Sequence, residues 1–250
     1  MKLIFDIGMY DGSDTRYYLS EGYKVVAVAA NPNLIEKASK EFEEQIKSGQ
    51  LVLVNNAINH NAGEELSLTI AGDDLGSSSI FEEKISHKNP LGSFKVMSIT
   101  INDLIEEYGQ PYFVKIDIEG ADRFCILPLD KKSRPHYISF EAGEDMEELF
   151  DHLKMIGYTK FKAINQWNFD ELDKQESLIH RIKRKIIRLL GYKNAAEVRR
   201  SGRLFTKGHS AGPAPWVSDG KWQDADFLLK KFKSVESKNE LNGWYDIHAA

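Results

Sequence analysis

Short apolar runs alternate with amphipathic segments through the first 165 residues of the chain. Leu3–Ile7, Lys24–Ala29, Leu51–Val54, Phe113–Asp117 and Tyr137–Glu141 are compact runs rich in β-branched and aromatic residues. Runs this short, bounded by turn signals, predict buried strands. Between them, Ser13–Glu21 reads as a helix. Leu34–Lys47 places Leu34, Ala38, Phe42 and Ile46 four residues apart on one helical face, with Asn31-Pro32 before it and Gly49 beyond it as stops. Glu65–Ile70 and Val96–Ile99 alternate as exposed strands do. Asn102 is placed to cap a short helix to Tyr108, Met146–Met155 is a helix closed by Gly157, and Thr159–Ile164 is a further strand.

Strands separated by helical crossovers predict an α/β fold, a doubly wound and mainly parallel sheet with helices on both faces. Ligands of such sheets bind beyond the carboxyl ends of the strands. Those ends carry Asp6, Ala29, Asn55, Asp117 and Glu141. From Asn165 to Asn242 the character changes. Trp167 opens the region, and a basic helix Leu178–Leu190 follows. The loop Gly208–Trp216, a helix Asp224–Lys233 and the last strand, Gly243–His248, complete it. If the strands on either side pair antiparallel, residues 165–242 form an α-rich cap on the ligand edge. The domain proper is then 1–164 plus 243–250.

Composition narrows the class. The chain has 250 residues, 42% hydrophobic, and a net charge of −5, which gives no global reason to expect nucleic acid. Cys125 is the one cysteine, so neither an internal disulfide framework nor a cysteine zinc cluster is available. No apolar run approaches the roughly 20 residues of a membrane helix. Asp6 interrupts the first apolar run, which argues against a signal peptide. The expectation is a cytoplasmic enzyme.

The candidate chemistry lies at the strand ends. Gly8 and Gly12 follow a strand and precede a helix, a geometry that lets backbone approach a nucleotide-like ligand. Their spacing is neither that of dinucleotide binders nor that of phosphate-binding P-loops. Asp117, Glu119 and Glu141 are acids that either raise one another's pKa, as suits a general base, or share a divalent cation. The plainer reading is that Glu119 caps the next helix and Asp122 sits in its first turn. His209, among small residues, is either a mobile base or a solvated loop histidine. The basic helix 178–190 attracts an anionic acceptor or a membrane surface, or is a solvated face.

The segments Asp6-Ile-Gly-Met-Tyr-Asp-Gly12 through Thr15, Ala30-Asn31-Pro32 and Val114-Lys-Ile-Asp-Ile-Glu-Gly-Ala-Asp122 resemble S-adenosylmethionine-dependent methyltransferases of the FkbM type. The resemblance covers about residues 1–165. It implies a methyltransferase sheet with one antiparallel edge strand. It also implies S-adenosylmethionine as cofactor and O-methylation of a sugar, glycoconjugate or natural-product hydroxyl. Carried over residue by residue, the cofactor set is Asp6, Gly8, Tyr10, Gly12, Thr15, Ala29, Asn31, Asn56, Ala57, Ser78 and Asp117. The catalytic set is Asp117, Glu119, Glu141 and His209. The chain departs from the pattern at Ala29, where the family carries an acid that holds the cofactor ribose. A charged hydrogen bond is worth about 1.5–3 kcal/mol, so its loss implies roughly ten- to hundredfold weaker binding. Natural divergence and an introduced alanine both account for Ala29. A methyltransferase-like binding or scaffold protein without turnover is the alternative function.

Overall fold

The computed structural model describes residues 1–71, 78–81, 90–172, 197–207, 210–237 and 243–250. Its central element is a seven-stranded sheet. In chain order its strands are β1 (Leu3–Ile7), β2 (Lys24–Val28), β3 (Leu51–Val54), β7 (Phe113–Ile116), β8 (Tyr137–Glu141), β9 (Phe161–Asn165) and β12 (Tyr245–Ala249). Their spatial order is β3-β2-β1-β7-β8-β12-β9. β1 pairs in parallel with β2 and β7, β2 with β3, and β7 with β8. β12 pairs antiparallel with both β8 and β9.

This corrects one expectation: the antiparallel strand is not at the edge. The chain end inserts between β8 and β9, and every residue of β12 is buried. A strand hydrogen-bonded on both sides and covered on both faces needs such a continuous apolar or satisfied run. β4 (Ala57–Ile58), β5 (Glu65–Ala71) and β6 (Pro90–Ile99) form a smaller sheet in which β5 and β6 pair antiparallel.

Helices cover both faces of the large sheet. On one side Phe5, Ile7, Val26, Val28, Val114, Ile116, Ile138 and Phe140 pack beneath α4 (Ile101–Tyr108), α5 (Arg123–Ile126), α6 (Met146–Ile156) and α7 (Ala225–Ser237). On the other, Ile4, Val25 and Ala27 pack with Tyr18 and Leu19 of α1 (Ser13–Ser20) and Ala38 of α2 (Pro32–Glu41). The predicted helix 34–47 is two helices, α2 and α3 (Glu43–Lys47), separated by Phe42 at φ −107°. α4 starts at Thr100 rather than Asn102. The Thr100 hydroxyl accepts from the Asp103 amide while the Asp103 carboxylate accepts from the Thr100 amide, a reciprocal cap that Asn102 does not form.

Of the residues expected to form a cap, α7 lies in the layer over the sheet, its Ala225, Leu228 and Phe232 in the main core. The hairpin β10 (Glu197–Arg200) and β11 (Arg203–Thr206) sets Phe205 against Tyr17 of α1. Trp216 packs on Tyr23, Tyr112 and Tyr137, at the amino ends of β2, β7 and β8. The basic helix expected at 178–190 and His209 lie outside the described residues. Among the described residues no helix is long and apolar enough to cross a membrane.

Candidate functional site

The exits of β1 and β2 are tied together first. The amides of Gly8 and Met9 both donate to the Val28 carbonyl, at 3.0 and 2.9 Å. Gly8 has φ +88°, and a Cβ there would stand 1.8 Å from the Asp117 carbonyl oxygen. Only glycine lets the β1 exit lie this close to the β7 exit. Gly12, at φ +78°, has its own neighbour: a Cβ would come within 2.9 Å of the Phe42 ring. It starts α1 and packs helix against helix.

Beyond these exits lies a cleft of about 620 Å³ of empty space, its open mouth included. Gly8, Tyr10, Ala29, Asn31, Asn56, Ala57, Ser78 and Asp117 line it, together with Met9, Leu34, Ile58, Leu68, Ile80, Ile118 and Ala121. Leu34, Ile58, Leu68 and Ile80 had no motif to announce them; they come from four different segments that only the fold brings together. The other residues of the inferred cofactor set stand behind the wall. Asp6 is 1% exposed and accepts a 2.6 Å hydrogen bond from the Thr15 hydroxyl, so both organise the glycine turn rather than line the cleft. Asn31 also caps α2, its side-chain oxygen accepting from the Asn33 amide. The Asn56 amide donates to the Met97 carbonyl, and Asn55 donates to the carbonyls of Ala29 and Ala30. These bonds fix the rim around Ala29.

A buried cation holds the floor. The Lys115 ammonium lies 3.5 Å from Asp6, 3.8 Å from Asp14 and 3.6 Å from Asp117, and donates to the Gly8 carbonyl at 3.2 Å. Burial and the Lys115 charge oppose each other at Asp14, and burial wins: its carboxyl is pushed up to about 6. Asp14 accepts from the Ser210 hydroxyl and from the Ala211 amide at 3.0 Å, which ties that loop to α1. Register extends the polar line. Asp6, Lys115, Ser139, His248 and Lys162 are consecutive cross-strand neighbours through β1, β7, β8, β12 and β9, and all are buried.

One step toward the carboxyl edge, acids gather. Asp117 keeps 41% of its side chain exposed. Glu141 is pushed up to about 9 by burial and by its neighbours Asp117 and Asp246, so near neutral pH it is a hydrogen-bond donor, not a base. Asp246 faces Glu141 across the β8–β12 pair and is raised well above the usual carboxylate range, chiefly by burial. It accepts from the Gln166 amide at 2.9 Å, while its Oδ2 has no partner. No motif in the sequence points to Asp246. An antiparallel last strand presents its first residues at the ligand edge, and that sets Asp246 there and His248 deep inside.

Glu119 sits apart from the cleft lining, in a turn at φ +49°, its carbonyl accepting from the Ser79 hydroxyl. Asp122 braces the same turn by accepting from the Ile118 and Glu141 amides at 3.3 and 3.2 Å. Among the described residues no cluster of three or more His, Cys, Asp and Glu side chains is arranged to hold a metal ion.

Residues 6–173 match the methyltransferase FkbM domain. A crystal structure titled methyltransferase FkbM, from Methylobacillus flagellatus KT, is similar at 14% sequence identity and a TM-score of 0.40. That similarity covers 63% of this chain and 38% of that one. No curated protein matches the chain.

Proposed function

The chain belongs to the FkbM methyltransferase family, and from that premise we propose that it moves a methyl group from S-adenosylmethionine to a hydroxyl of a sugar, glycoconjugate or natural product. The observation that carries this reading is the cleft where the β1, β2 and β7 exits meet, with a glycine whose missing Cβ keeps Asp117 within touching distance. The residues fit the cofactor. Gly8, without a Cβ, keeps the turn bare at the cleft, and Ala29, Leu34, Ile58 and Leu68 supply apolar walls suited to a flat base. S-adenosylmethionine supplies an electrophilic methyl group bound to a sulfonium sulfur.

The chain's own contribution is position and proton management. Methyl transfer to a hydroxyl would form a carbon–oxygen bond as the methyl carbon–sulfur bond breaks, the thioether leaving with that electron pair, and would release the hydroxyl proton. Asp117 borders the cleft, is partly solvated and stands beside Lys115, so it is the base in this reading. Glu141, carrying its own proton, donates a hydrogen bond that orients the acceptor. Most of the rate then comes from holding the reacting atoms in line. Asp117→Asn lowers kcat by about 10²–10⁴-fold, the usual range for a lost general base, with a much smaller change in cofactor affinity. The check is steady-state transfer of a labelled methyl group beside a cofactor titration, and unchanged turnover removes Asp117 from the mechanism.

Ala29 is the observation that favours a second reading, a methyltransferase-like binding protein without turnover. Against it stand Asp117, Glu141 and Asp246 gathered at the carboxyl edge, Asp246 buried with an unpartnered oxygen, a costly arrangement that a fold kept only as a scaffold does not need.

A further inference from the structure

The four tryptophans separate into two kinds. Trp216 packs among Tyr23, Tyr112, Phe113 and Tyr137, and Trp222 lies between Tyr137 and the Lys162 ammonium. Trp167 and Trp244 are instead 44% and 56% exposed, and they stack on each other with centroids 5.9 Å apart and planes 20° apart. Large aromatic surface left in water costs free energy, and a stacked exposed pair beside a ligand edge marks a contact surface.

The pair is built rather than incidental. Gly243, at φ +104°, admits the Trp167 ring: a Cβ there would meet it at 2.5 Å. The Gln166 amide donates to the Trp244 carbonyl at 2.9 Å, extending the β9–β12 ladder beyond the strands. The Trp167 amide donates to the Asn165 side-chain oxygen at 2.8 Å. Both indoles therefore stand at the carboxyl end of β9 and the start of β12. Trp244 comes two residues before Asp246 in the chain. Gln166, between Asn165 and Trp167, binds Asp246 through its side chain.

We infer that Trp167 and Trp244 form an acceptor subsite that stacks on the face of a pyranose ring, with Gln166, Asp246 and Glu141 serving the ring hydroxyls. A pyranose has an apolar face of C–H groups and a polar rim, and this corner offers the matching pair of surfaces. The Oδ2 atom of Asp246 is the second observation. It belongs to a side chain 2% exposed, it lacks a hydrogen-bond partner, and Asp246 lies opposite Glu141 across the β8–β12 pair and two residues along the chain from Trp244. Such a buried polar atom calls for a ligand group or water to satisfy it. A flat aromatic ligand uses the indoles but leaves that rim unmatched. The inference rests on the reading of this edge as the methyl-transfer site.

The test labels the chain with 5-fluorotryptophan, assigns the signals by single Trp→Phe variants, and titrates methyl glycosides of common hexopyranoses. The Trp167 and Trp244 signals shift and those of Trp216 and Trp222 stay. Trp244→Ala weakens glycoside binding by about tenfold. Affinity for S-adenosylmethionine stays within about twofold, as for separated sites. The subsite is overturned if no glycoside moves the two signals, if all the signals move alike, if phenol outcompetes the glycosides, or if Trp244→Ala binds them equally well. S-adenosylmethionine is titrated into the same sample. Cofactor binding without a glycoside response overturns the subsite alone, whereas absent cofactor binding strikes the methyltransferase reading.

Discussion

Replacing Lys115 by methionine lowers the melting temperature at neutral pH by about 6–20 °C. The lysine is 4% exposed and faces Asp6, Asp14 and Asp117 at once. Removing it leaves buried carboxyls with no cation, and breaking a buried ion pair from one side costs about 3–5 kcal/mol. For a chain of this size each kcal/mol corresponds to roughly 2–4 °C. Acid relieves the defect, and the sign can be worked out. Asp14 titrates in the folded protein at about 6, above its unfolded value of 3.8, so the folded state holds this proton more tightly. Its contribution is therefore greatest below about pH 4 and is lost as pH rises through about 6. Without Lys115 that preference for the proton grows. The difference between variant and parent thus narrows below about pH 5. Thermal denaturation followed by circular dichroism at neutral and acid pH checks this. A variant as stable as the parent at neutral pH removes Lys115 from the role of structural counter-ion.

Gly8→Ala abolishes measurable cofactor binding and costs about 2–4 kcal/mol of stability, about half from collision and half from φ. The added methyl meets the Asp117 carbonyl at 1.8 Å, so either the β1 turn or the β7 exit must move, and both border the cleft. Gly22→Ala is the matched control. Gly22 has a similar φ of +82° but nothing within 4 Å of an added Cβ, so it loses only the left-handed penalty of about 1–2 kcal/mol. Denaturant titration of the two variants side by side separates strain from collision. If Gly8→Ala behaves like Gly22→Ala in stability and in binding, close approach at the β1–β7 junction is not what the site needs.

Much of the fold was legible because its strands are continuous apolar runs and its helices keep their spacing. The two strand ends that carry Asp6-Ile-Gly8 and Lys115-Ile-Asp117 announced themselves as a ligand edge. Four things were hidden, for physical reasons. The place of β12 inside the sheet is a long-range pairing with no local signal, so the edge position expected for the antiparallel strand was wrong and Asp246 went unnoticed. Mid-strand Lys115 and Asp6 break the apolar pattern, and only cross-strand register reveals that they are partners. The cap of α4 fell to Thr100 because its hydroxyl and Asp103 satisfy each other, a reciprocity that outweighs the single contribution open to Asn102. The lining of the cleft by Ile58, Leu68 and Ile80 likewise depends on the small sheet folding against the large one, which apolar residues in alternating strands do not specify.

Calorimetric titration of S-adenosylmethionine into the parent chain and into Ala29→Glu tests the central claim most directly. Ala29 borders the cleft and is 4% exposed, at the position where the resemblance to FkbM-type sequences implies an acid that holds the cofactor ribose. The parent binds one equivalent weakly, and Ala29→Glu binds about ten- to hundredfold more tightly. Equal affinity of the two forms removes Ala29 as the cause of weak binding. The absence of binding by both contradicts the assignment of this cleft as a cofactor site.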